Sequence, residues 1–186
     1  MEMLVVLMIV GSGLFAAANM VYSNLALVER DSDEVVAINL GREGIELAKQ
    51  TRDSNWLVGN PFNQGLQTTS TKDYTAVPAW SGVAGSLPAF NFTPNAIAST
   101  GTSVVKTASG FYANAIGVVS GTSTGFSRLL TFYPICNDYT TTTGSGVACS
   151  DSGKIQIGVR TEAWIQWKRK GVTKTRKMYG DVYDWK

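Results

Sequence analysis

The chain has 186 residues, 44% hydrophobic and 16% charged, a balance that fits one globular domain of ordinary size and excludes a disordered or collagen-like chain. Histidine is absent, which removes His-ligated metal sites and His-based acid–base catalysis, and two cysteines cannot build a four-Cys zinc site. The net charge of +2 hides a segregation: residues 1–53 hold eight acids against four bases, residues 54–153 three of each, and residues 154–186 nine bases against three acids. An acidic start and a basic end attract each other within a molecule or between copies, but at a Debye length of about 8 Å this helps only where surfaces nearly touch.

From Met3 to Val28 there is no charged residue, and MLVVLMIVGSGLFAAA is almost wholly apolar. Those twenty-six residues would span roughly 39 Å as a helix, enough to cross the ~30 Å hydrocarbon layer of a bilayer. A secretory signal would begin with a basic region; this run is headed instead by an acid, Glu2. Gly11 and Gly13 weaken the helix by about 1 kcal/mol each relative to Ala. A plain transmembrane anchor is one reading of the run. A buried helix of a soluble domain is disfavoured, because no comparably long apolar partner exists elsewhere in the chain.

The run passes without proline into an amphipathic stretch. Val36, Leu40, Gly44 and Leu47 share one side, widened by Val35, Ile38 and Ile45. Arg30–Glu34, Arg42–Glu46, Glu46–Lys49 and Lys49–Asp53 are spaced to pair along the outer face. The helix is expected to stop near Asp53–Asn55, before Gly59-Asn60-Pro61. About 50 helical residues make a rod of about 75 Å, more than the remaining chain can cover. Its first half must lie in lipid or among copies of itself.

Residues 60–126 are rich in Gly, Ser, Thr, Asn and Ala, broken by Pro61, Pro78, Pro88 and Pro94, with short strands expected at Ser103–Thr107 and Phe111–Val119. Trp80, Phe90, Phe92, Phe111 and Tyr112 read as core contacts, with a carbohydrate-stacking platform as the functional alternative. Asn91-Phe92-Thr93 fits an N-glycosylation triplet, but Pro94 follows it.

Ser127–Ile135 reads as a strand ended by Pro134. Cys136 and Cys149 bracket a flexible polar loop without CxxC spacing, and the exported context implied by the anchor favours a disulfide between them. Asn137, Asp138 and Asp151 are the candidate ligands for a Ca²⁺ ion, but they lack an EF-hand spacing, so neither a metal site nor a cofactor is expected. From Ile155 the alternation is clear: Ile155, Ile157, Val159, Thr161, Ala163, Ile165 and Trp167 share one face. Lys168–Gly171 reads as a turn and Val172–Tyr179 as the returning strand. Lys168, Arg169, Lys170, Lys174, Arg176 and Lys177 then form a cationic cluster, a candidate contact for an anionic partner such as DNA. The ordinary alternative is a solvated hairpin or a subunit contact. The apolar sheet face needs a cover, and the helix stripe supplies one. The expected fold is α+β, a long N-terminal α-helix packed on an antiparallel β-sheet head. Its segments are an apolar half-helix 1–28, an amphipathic half-helix 29–56 and a β-rich head 57–186.

An acid-headed apolar stretch, EMLVVLMIV, running unbroken into an amphipathic helix and a β-rich head resembles the type IV pilins and pseudopilins. LGREGIELAKQTRDSNWL (40–57) is similar in particular to pilin-like proteins of small-genome candidate-phylum bacteria. The resemblance covers the first 57 residues or so and extends beyond them in architecture alone. It implies a peptidase cut ahead of the apolar stretch and an acid at the fifth mature position that neutralises a neighbour's N-terminal amine. Here the acid is residue 2, so either three residues precede Met1 or the chain departs from that rule. The proline common about seventeen residues after the family acid is replaced by Asn19, which leaves Gly11–Ser12–Gly13 as the place for the helix to loosen. Glu2, Leu4, Leu7, Gly11, Gly13 and Leu14 are the expected assembly residues.

The function so implied is that of a non-enzymatic structural subunit, a major pilin of a type IV pilus-like surface filament. Its partners would be itself, membrane lipid before assembly, the inner-membrane assembly machinery and prepilin peptidase, with DNA or a host surface as further candidates. A minor pilin or type II secretion pseudopilin shares the architecture. A singly anchored surface receptor or DNA-binding module is the alternative of another class.

Overall fold

The computed structural model describes residues 2–66, 75–79, 89–94, 96–116, 121–141 and 148–184. Trp80, expected in the core, lies outside them, as do residues 117–119 of an expected strand. The chain divides into two compact units, Met1–Val36 and Ala37–Lys186. One helix, α1 (Glu2–Val58), contributes to both and runs a few residues past the expected stop. Its end is closed by Gly59 at φ 78°, with the Gly59 N–H donating to the Trp56 carbonyl (3.2 Å) and the Asn60 N–H to that of Asn55 (2.8 Å). A left-handed residue just past the helix lets the last carbonyls find donors, and glycine adopts it without strain.

The first unit is helix alone. Residues 2–32 are exposed throughout, and α1 holds a segment long and apolar enough to cross a membrane.

The second unit is an antiparallel sheet covered on one face by the later part of α1. Its strands are β1 (Thr75–Ala79), β2 (Ala89–Asn91), β3 (Ser103–Thr107), β4 (Tyr112–Asn114), β5 (Gly121–Cys136), β6 (Gln156–Arg169) and β7 (Val172–Tyr183). The spine is β5-β6-β7, paired continuously from Phe126↔Trp167 and from Gly158↔Tyr183. The other edge of β5 is shared: β3 pairs with its first half and β1 with Leu130 and Thr131. β4 and β2 flank those two. The α+β expectation is therefore met, with the strand at Ser103–Thr107 where expected. β5 is longer than its expected core in both directions. Pro134 does not end it, because β1 has already left that edge at Thr131 and no described strand needs a donor there.

α1 packs on the sheet through Ala37, Leu40, Gly41, Gly44, Ile45 and Ala48. This stripe is rotated from the expected one: Val35 is exposed, and Val36, Ile38 and Leu47 are only partly buried. The rotation follows from close approach, which favours the small residues. A Cβ on Gly44 would stand 2.6 Å from Leu130 Cδ2, and one on Gly41 2.8 Å from Met178 Sδ. The sheet answers with its own glycine, Gly180, where a Cβ would run into Ile45 Cγ2. Behind the helix Leu130, Phe132, Val159, Ala163 and Val182 form the core, with Phe90 edge-on to Phe132 at 5.1 Å. Phe90 and Phe92 are thus core contacts, as expected. Phe111, at 72% exposure, is not, and Tyr112 is exposed as well, because both lie at the β3–β4 turn beyond the helix cover. Ile155 is also exposed; β6 begins one residue later, after a register shift opposite Cys136. Cys136 and Cys149 form a disulfide, both buried.

Candidate assembly helix and cationic turns

The expected assembly residues all lie on the exposed part of α1. Leu4, Leu7 and Leu14 are 67–71% exposed. Glu2 stands in the first turn, where the helix macrodipole favours an acid. Nothing lies within 4 Å of a Cβ built on Gly11 or Gly13. The described residues therefore give no packing reason for either glycine, although each costs helix stability. The two serine hydroxyls in this stretch are satisfied internally: Ser12 donates to the Ile9 carbonyl (2.9 Å) and Ser23 to that of Met20 (3.0 Å). Such back-bonding is what a hydroxyl needs in an apolar medium.

In the second unit the structure brings together a site that the sequence did not announce. Arg128 on β5 points under α1 and is 1% exposed. Its Nη1 donates to Glu43 Oε2 (2.8 Å) and to the Leu40 carbonyl (3.3 Å). Its Nε and Nη2 both donate to Asn114 Oδ1, at 3.0 and 2.8 Å. Asn114 Nδ2 then donates to the carbonyls of Thr102 (3.0 Å) and Arg128 (3.3 Å). Burial pulls the guanidinium below its ordinary value, and Glu43 opposes that shift. The fork of Arg128 thus ties α1, β4 and β5 at one point, with all three of its nitrogens engaged by the fold.

The cationic residues divide between the two faces of the β6–β7 hairpin. The turn is shorter than expected, Lys170–Gly171, both at positive φ (45° and 80°), which suits the twist of a two-residue hairpin. Pairing of Trp164 with Lys177 and of Lys168 with Thr173 puts Lys168 and Lys177 on the face away from the helix. Arg169, Lys174 and Arg176 alternate onto the other. Lys177 is not free for a partner: it pairs with Glu162 (2.7 Å) and lies 4.8 Å above the Trp164 ring, and the Glu162 hydrogen bond raises its pKa. On the same face burial, then the Glu162 charge, pushes the Tyr133 hydroxyl up, and Arg160 grips Asp181 through two 2.8 Å bonds. Lys168, Lys170 and Lys174 are exposed.

At the disulfide loop, Asp138 accepts from Lys154 and from Thr140, and those bonds hold its carboxyl at about 2. Asp151 accepts the Ala148 N–H at 3.0 Å. Both acids suggested for calcium are thus occupied by the protein itself, and among the described residues no group of three metal-binding side chains assembles.

No protein-family model, curated protein or solved structure matches this chain.

Proposed function

We propose that this chain is a structural subunit of a type IV pilus-like surface filament, a major pilin, which works by assembly and not by catalysis. The observation that carries this reading is the unsheltered apolar surface of α1. From Met3 to Val10 every side chain is large, apolar and at least 52% exposed. At about 1.5–3 kcal/mol per buried side chain, leaving these in water would forfeit on the order of 10–20 kcal/mol, as much as the roughly 5–15 kcal/mol net stability of a whole domain. Lipid can shelter them, and so can sister helices. The two unexplained glycines favour sister helices, because small residues let helix backbones approach where lipid makes no such demand. The disulfide suits an exported head. In this reading the apolar half-helix rests in the inner membrane until it is extracted into a bundle of its own kind, and the head faces outward.

The test is electron microscopy of sheared surface material from cells expressing the chain, with Gly13→Leu and Glu2→Ala beside the natural sequence. Filaments containing this protein, lost in Gly13→Leu while the head still melts normally, are the expected result. A detergent-soluble monomer with no polymer would overturn it in favour of a singly anchored receptor. Normal filaments from Glu2→Ala would remove Glu2 from the assembly set and leave the rest standing.

A further inference from the structure

The end of the compact unit from which the chain leads back to the apolar segment is built from two turns with lysines in or beside them. β7 runs alongside α1 in the same direction: Met178 lies against Gly41, Gly180 against Ile45, and Arg52 Nη1 reaches the Tyr183 carbonyl (3.5 Å). The start of β7, and with it the Lys170–Gly171 turn, therefore lies at the Ala37 end. β5 pairs Phe126 with Trp167, so its first residues extend toward that same end, and β3 meets them through Thr107↔Gly121. The β3–β4 turn thus stands beside the β6–β7 turn. Between them they present Lys106, Lys168, Lys170 and Lys174, with Phe111 (72%) and Val172 (55%) exposed among the cations. No acid occurs from residue 74 to 137 or from 163 to 180, and the nearest helix acid of this unit, Glu43, is held by Arg128.

We infer that this two-turn end rests on the anionic phospholipid headgroups of the bilayer that holds the apolar segment before assembly. The inference rests on the membrane-embedded stage of the function proposed above. Whatever the angle of the unit, the eight residues 29–36 let Ala37 stand no more than about 30 Å from Val28. The Ala37 end of the unit is thereby tethered within reach of the headgroup layer. Lysines close to an anionic leaflet are attracted within a Debye length, and exposed Phe and Val side chains add shallow apolar insertion. Residues 29–36 carry four acids and one arginine and are repelled by such a surface; the two turns supply the compensating charge.

The test places the full chain in nanodiscs of phosphatidylcholine, with or without phosphatidylglycerol, and follows lysine acylation by mass spectrometry. Lys106, Lys168, Lys170 and Lys174 are expected to react about threefold or more slowly in the anionic discs, the difference vanishing in ~0.5 M salt. Lys49 and Lys154, toward the opposite end, are expected to react alike in both. Equal rates at the four turn lysines would overturn the inference. So would protection in neutral discs that grows with the number of chains per disc, which points to a second copy, or protection given by a DNA duplex and not by anionic lipid. Failure of the chain to enter discs at all would instead strike the membrane stage of the proposed function.

Discussion

Replacing Arg128 tests the logic of the head most directly. Arg128→Met keeps the volume of the side chain and removes its donors. Asn114 Oδ1, which accepts from Nε and Nη2, would then be left buried beside an apolar chain, since Asn114 is 1% exposed. Hydrogen bonds to a charged donor contribute about 1.5–3 kcal/mol each, and an orphaned buried acceptor costs about 1–3 kcal/mol. Glu43, whose side chain is 45% exposed, turns to water and adds little. The expected loss is about 3–4 kcal/mol, read as a fall of roughly 6–16 °C in Tm for a unit of this size. Arg128→Lys is the sharper variant. It keeps the charge but lacks the planar fork that spans Asn114, Leu40 and Glu43 at once, so it should recover less than half of that loss. Thermal unfolding in detergent, followed by near-ultraviolet circular dichroism, measures both. If Arg128→Lys melts with the natural protein, charge and not geometry holds this junction, and the reasoning is wrong.

Gly180→Ala forces a Cβ against Ile45 and should destabilise the head by about 1–3 kcal/mol; adding Ile45→Ala should remove that clash, so a double variant no better than the sum of the single losses would contradict it. Nuclear magnetic resonance should find Asp138 titrating near 2, its depressed value, and moving up toward the ordinary carboxylate range in Lys154→Ala. Because the folded value lies below the unfolded one, the stability linked to Asp138 is present above pH ~4 and is lost as pH falls toward 2. Replacing Cys136 and Cys149 together by serine opens a loop with a sequence separation of 13 and should cost roughly 3 kcal/mol by the chain-entropy model, checked by urea unfolding against the disulfide-bonded natural chain.

How much of this was legible depended on whether a residue's partner was near in sequence. The alternation through β6 needs no distant information, since one apolar face and one polar face repeat along the strand itself, and Val159 to Trp167 are buried as their parity requires. The β6–β7 hairpin was legible for the same reason. The first half of β5, GTSTGF, reads as loop because its pairing partner β3 lies fourteen residues upstream and its own side chains carry little apolar signal. Arg128 was invisible for a related cause. A lone arginine in SRLLTFYPI looks like a surface residue, and its three partners Leu40, Glu43 and Asn114 come from two other elements. The expected helix stripe is right in kind but rotated, because sequence periodicity weighs the large apolar residues. A helix lying this close to a sheet selects for small ones.

The β6–β7 ribbon ends in a strand with one free flank: β7 pairs with β6 alone among the described strands. Open strand flanks invite the same flank of another molecule to join them. Here the first half of that flank reads VTKTRK, so two molecules meeting there would set cation against cation. In the filament proposed above, that repulsion disfavours the zippering of sheets and leaves assembly to the exposed apolar helix.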